Sequence, residues 1–179
     1  MLNDTTFLNS TADKKGGAMF LKGGSTAQIT TTKFEGTVAG DEGGAIYMNA
    51  SSTATVVHST FLETMAYTNG AALALESSSV IYVNDSLFFD LLSWGFGGAL
   101  AAGASSAAMV NCTFRSTTAY GGGGAAYLWH SHLEIEHSQF YGIRSFDSGG
   151  ALFIDTSSAV SVTETPFEGC SASFDGGEL

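Results

Sequence analysis

A chain of 179 residues with 44% hydrophobic and only 13% charged residues, one Pro and 23 Gly suits short strands punctuated by turns and gives no support to long amphipathic helices. Six basic against seventeen acidic residues leave a net charge of −11, which argues against nucleic acid or an anionic membrane surface as partner. No apolar run approaches the roughly 18 residues of a membrane-spanning helix, so no transmembrane segment is expected, and the opening Met1 to Thr6 is no secretory signal.

The chain repeats itself. Phe7, Phe34, Phe61, Phe88, Phe114, Phe140 and Phe167 are each followed eleven residues later by Ala18, Ala45, Ala72, Ala99, Ala125, Ala151 and Glu178, so both columns advance by 27, 27, 27, 26, 26 and 27. A period in this range marks a solenoid, in which one repeat is one coil and cannot bury its apolar face alone. The expected fold is all-β: a single right-handed parallel β-helix over residues 1–179, about seven coils of 26–27 residues with three short strands per coil. In such a stack each residue lies one strand spacing, about 4.8 Å, from its equivalent on the next coil.

Within each repeat the elements follow in a fixed order. Two residues before each Phe stands a small-residue column, Thr5, Thr32, Ser59, Ser86, Cys112, Ser138 and Thr165, able to pass side-chain hydrogen bonds along the stack. The Phe column fills the core. Five residues later come Ala12, Ala39, Ala66, Ser93, Ala119, Ser145 and Ala172, where the wall must come close, and then the Gly pair supplies torsions that other residues tolerate poorly. The next strand alternates with period two: Met19, Ile46, Leu73, Leu100, Ala126 and Leu152 point inward, whereas Phe20, Tyr47, Ala74, Ala101, Tyr127 and Phe153 point outward. After a turn of Ser, Gly and Asn, a last strand carries inward Ala27, Ala54, Ile81, Ala107, Leu133 and Val160, with the β-branched content of a strand at the second inward position, Ile29, Val56 and Val83. The first coil and the last carry no visible cap, so the ends are expected to continue into further repeats or to stack on a second copy.

Gly43-Gly44-Ala45-Ile46, Gly97-Gly98-Ala99-Leu100 and Gly149-Gly150-Ala151-Leu152, each behind a Phe strand, resemble the GGA[ILV] and FxxN repeats of the chlamydial polymorphic outer-membrane proteins. Three residues after each Phe, where the second motif has Asn, this chain has Ser10, Thr37, Thr64, Leu91, Thr117, Ile143 and Cys170. The resemblance implies an extracellular or cell-surface adhesive β-helix and carries over no catalytic residue.

Candidate sites are sparse. Five of six Asn residues lie in Asn-X-Ser/Thr sequons, Asn3, Asn9, Asn49, Asn84 and Asn111, which are acceptors for N-glycans in a secreted eukaryotic protein; Asn9 and Asn49 are expected on turns. Tyr67, Trp94, Tyr120 and Phe146 occupy one column on consecutive coils. Together with the outward Phe20, Tyr47, Tyr127 and Phe153 they form the candidate contact surface, suited to carbohydrate or protein. Cys112 and Cys170 lie two coils apart on different faces, too far for a disulfide, and are expected to be buried small residues. No cluster of metal ligands and no cofactor motif occurs. Glu63 and Asp90 share a column, and His137 neighbours Glu164, a pair better read as a surface ion pair than as a catalytic one. The expected role is structural or adhesive. The rival is a β-helical polysaccharide lyase or glycoside hydrolase, which demands an acidic cluster facing a groove on an outer sheet.

Overall fold

In a computed structural model, residues 1–176 are described; Glu178, the last member of the Ala column, lies outside them. The described residues form no helix. Their strands make three parallel sheets of seven, twelve and six strands, wound into a solenoid of about six complete turns. The twelve-stranded sheet combines the Phe strands with the short Ala strands that follow them, because on two central coils the two fuse into single strands, Leu87–Ser93 and Thr113–Ala119.

The register is the one that the repeat requires. Phe34 pairs with Phe61, Phe61 with Phe88, Phe88 with Phe114 and Phe114 with Phe140, while Ile46 pairs with Leu73 and Leu73 with Leu100. Equivalent rings therefore lie on top of one another: from Phe7 to Phe167 the centroids are 4.4 to 5.1 Å apart and the planes within 11° of parallel. Phe34 through Phe140 are fully buried. Each removes a whole aromatic side chain from water, the largest favourable contribution that a single position in this fold can make.

Two hydrogen-bond ladders flank this core. In the first, the hydroxyls of Thr32, Ser59, Ser86 and Ser138 donate to the carbonyl two residues back. The same oxygen accepts the N–H of the previous coil, as in Thr32 N to Ser59 Oγ and Ser59 N to Ser86 Oγ, both 3.1 Å. Cys112 takes the same place, its N–H donating to Ser138 Oγ at 3.0 Å. A second ladder, invisible in the sequence reading, links the turn residues Ser79, Ser105, Ser131 and Ser158 in the same fashion. Each ladder satisfies N–H groups at a corner where the sheet ladder is interrupted.

The corners themselves are left-handed. One residue before the first ladder, Asp4, Thr31, His58, Asp85, Asn111, His137 and Glu164 all have φ between 48° and 53°. Non-glycine residues rarely adopt this region; here the strand pairing on both sides of the bend enforces it, coil after coil. Cys112 and Cys170 are both buried, as expected.

Candidate functional site

The aromatic column at the corner after the Phe sheet is real and open to solvent. Tyr67, Trp94 and Tyr120 are 55%, 49% and 42% exposed, and Phe146 is half-buried. Trp94 stacks on Tyr120 and Tyr120 on Phe146, each with centroids 4.6 Å apart and planes within 11°, and the Arg144 guanidinium lies 4.1 Å from the Phe146 centroid. Each ring rides on a backbone N–H bonded to the coil before, such as Trp94 to Ala66 and Tyr120 to Ser93, so the strip keeps the spacing of the sheet. Both faces of the Tyr120 ring are covered by its neighbours, Phe146 has Tyr120 and Arg144 against it, and the strip offers water chiefly its ring edges.

The outward column of the six-stranded sheet differs from expectation. Tyr47 is not an exposed contact residue: it is 1% exposed. Strand parity does turn it away from the core, but its ring is covered by Phe20, stacked at 5.0 Å, and by the Lys15 ammonium 4.4 Å from its centroid. Phe20 is half exposed. Tyr127 and Phe153 are half-buried; the ring of Phe96 reaches them from the corner loop, tilted against Tyr127 at 4.6 Å and stacked with Phe153 at 6.4 Å. The loops that precede the Gly pairs lean over this face, so pointing away from the core is not the same as pointing into water.

That lean builds a polar network missed in the sequence. Lys15 Nζ donates to Glu42 Oε2 at 2.7 Å, to Tyr47 Oη at 3.0 Å and to Glu76 Oε2 at 3.5 Å. The Tyr47 hydroxyl donates to the same Glu76 oxygen, Asn49 Nδ2 donates to Tyr47 Oη at 3.1 Å, and Asn69 Nδ2 donates to Glu42 Oε1 at 2.9 Å. Burial opposes the charge on Lys15, but its bonds to Glu42 and Tyr47 and the two carboxylates outweigh this and raise its pKa. Burial and the bond to Glu76 likewise push the Tyr47 phenol up. One signal was available: Lys15, Glu42 and Asn69 stand 27 residues apart and so share a column.

Beside the network lies a cleft of about 280 Å³. It exists because the outward column drops to Ala74 and Ala101 in mid-stack, and the next outward column to Gly103, between Glu76 on one side and Tyr127 and Trp129 on the other. Trp129 is 48% exposed.

The sequons are placed unequally. Asn3, Asn9 and Asn111 are exposed, although Asn111 Nδ2 donates to Asp85 Oδ1 at 2.5 Å. Asn9 has the expected bend, with φ 51°. Asn49 is on a turn but half-buried, its amide spent on Tyr47, and Asn84 is half-buried inside the strand Val80–Asn84. His137 Nδ1 lies 3.0 Å from Glu164 Oε2 with both side chains more than half exposed. Among the described residues no group of three or more His, Cys, Asp or Glu is placed to hold a metal ion.

The sequence model of the family described as right handed beta helix region matches residues 2–165. No curated protein and no solved structure matches the chain.

Proposed function

The chain belongs to the right-handed beta helix family, and from that architecture we propose an extracellular or cell-surface β-solenoid of structural or adhesive role that binds glycan through its aromatic strip. The observation that carries this reading is the stacked run Trp94, Tyr120, Phe146, of which the first two rings are open to solvent. A core does not require these rings: the Phe stack already fills the interior, and exposed aromatics in contact with one another mark a contact surface. A rigid row of ring edges beside the Arg144 guanidinium offers an extended glycan an apolar strip with polar groups for its hydroxyls. The resemblance of the Gly-Gly-Ala repeats to chlamydial surface adhesins favours the same role.

The reading carries no turnover. Glycoside hydrolysis needs two carboxyl groups, one of them protonated, facing each other across the sugar, whereas the space between Glu42 and Glu76 is taken by the Lys15 ammonium. The glycan reading is tested on an array of neutral and charged oligosaccharides, with wild type against a Trp94→Ala/Tyr120→Ala double variant. The expected result is retention by wild type, at least ten-fold weaker retention by the variant, and unchanged thermal stability. Retention of no glycan, or equal retention by both proteins, overturns it. Material from a eukaryotic host is expected to carry added mass on Asn9 before Asn49.

A further inference from the structure

We propose that the cleft over Ala74, Ala101 and Gly103 is a second binding site, specific for an amino sugar with a free, protonated amine. The proposal deepens the glycan reading above and places the recognition of charge on a different face from the aromatic strip.

Three features define the occupant. The floor is apolar, because two successive coils present Ala74 and Ala101 where their neighbours present Tyr47 and Tyr127, and Gly103 stands where its neighbours present Glu76 and Trp129. A Cβ at Gly103 would already touch the Trp129 indole at 3.5 Å, so the indole lies over that glycine and forms one wall of the cleft. The opposite wall is Glu76. Its Oε2 serves Lys15 and Tyr47, while its Oε1 has no hydrogen-bond partner among the described residues, and the side chain is 39% exposed. Glu76 and Trp129 belong to the same outward column with Gly103 between them, hence about 10 Å apart at the backbone. A cation midway sits within about 6 Å of the ring face and beside the carboxylate, the arrangement that favours cation–π attraction.

The molecule holds one cation by the same means. Lys15 lies over the Tyr47 ring at 4.4 Å and bridges Glu42 and Glu76, which leaves two carboxylates against one ammonium and a net negative wall. An acidic sugar is repelled there, and a neutral sugar leaves the open Glu76 oxygen without a counter-charge. A lysine stem from a protein partner fills only part of a 280 Å³ cleft, whereas a pyranose ring covers the Ala floor and meets the indole with its C–H face.

The test is calorimetric titration of the intact chain with glucosamine oligomers and with N-acetylglucosamine oligomers of equal length, and with Nα-acetyl-lysine methylamide. Trp129 is the fluorescent reporter in a Trp94→Phe background. The expected result is at least ten-fold tighter binding of the free-amine oligomer, loss of that preference in Glu76→Gln, and loss of the fluorescence response in Gly103→Val, which fills the floor. Gln keeps an oxygen for the Tyr47 hydroxyl, and an unchanged melting temperature separates lost charge from lost fold. Equal affinity for both oligomers, an undiminished preference in Glu76→Gln, or lysine amide binding as tightly as the oligomer overturns the amino-sugar site. If oligomers bind without preference and the Trp94→Ala/Tyr120→Ala variant loses them, this site fails while the aromatic strip stands; binding of no glycan overturns both.

Discussion

The Phe stack inside the solenoid and the outward face of the six-stranded sheet are built on the same register, yet one is uniform and the other is not. Seven Phe positions give the interior the same ring, each lying on the last at 4.4 to 5.1 Å. The outer face runs Phe20, Tyr47, Ala74, Ala101, Tyr127, Phe153 and thereby opens a cleft where the side chains shrink. Inside, any change of volume is felt by both neighbours, because close packing leaves no slack. Outside, a coil can lose a ring without a void, since water or a ligand fills the gap. The repeat thus separates stability from recognition by the side of the sheet on which a residue falls.

That separation can be broken most sharply at Phe88. Phe88→Ala is expected to cost about 3–5 kcal/mol, read from urea unfolding, whereas Tyr120→Ala on the exposed strip should cost under about 1 kcal/mol. Equal costs would mean that the strip is part of the core. Lys15→Met comes next. It leaves Glu42 and Glu76 close together without their shared ammonium, and because Lys15 keeps about a third of its surface in water the loss should be about 1 kcal/mol, rather than the larger cost of breaking a fully buried pair. Thermal unfolding at low and high salt checks this, the difference from wild type narrowing as salt rises.

Thr64→Val is expected to act in the opposite direction. The Thr64 hydroxyl is buried with no hydrogen-bond partner, as is that of Thr37, and an apolar group of the same shape removes that penalty, a gain of about 1 kcal/mol. A loss of stability would show that the hydroxyl is satisfied after all. The smallest effect is at Cys112. Burial pushes its thiol up from 9.0 to about 11. Between those values the unfolded chain has released a proton that the folded chain retains, so stability falls as pH rises through the window. Cys112→Ser, the residue that other coils use in this ladder, should change stability by less than about 0.5 kcal/mol at pH 7 and remove that part of the alkaline slope. Denaturant midpoints at pH 7 and pH 10 for both proteins decide it.

How much of this was legible follows from what kind of signal each feature leaves. The Phe, Ala and Ser/Thr columns repeat one residue type at a fixed interval, and parallel pairing converts that interval directly into contact. The left-handed corner residues left no such trace: Asp4, Thr31, His58, Asp85, Asn111, His137 and Glu164 have little chemistry in common, and only their place between two paired strands imposes a positive φ. Tyr47 misled for a related reason. Period-two alternation reports which side of a strand a side chain leaves, but says nothing of a loop folding back over that side.

The sequence by itself therefore determined which residue stacks on which, the all-β class and the identity of the core, since backbone hydrogen bonding allows one register once the repeat is given. Only the tertiary structure decided that Tyr47 is covered, that Lys15, paired with Glu42, also reaches Glu76 across 61 residues of chain, and that the column of Ala74 and Ala101 becomes a cleft with Trp129 as its wall. Those outcomes depend on the direction in which corner loops lean. The Lys15 network and the cleft each take side chains from at least three coils, a dependence that no single repeat contains.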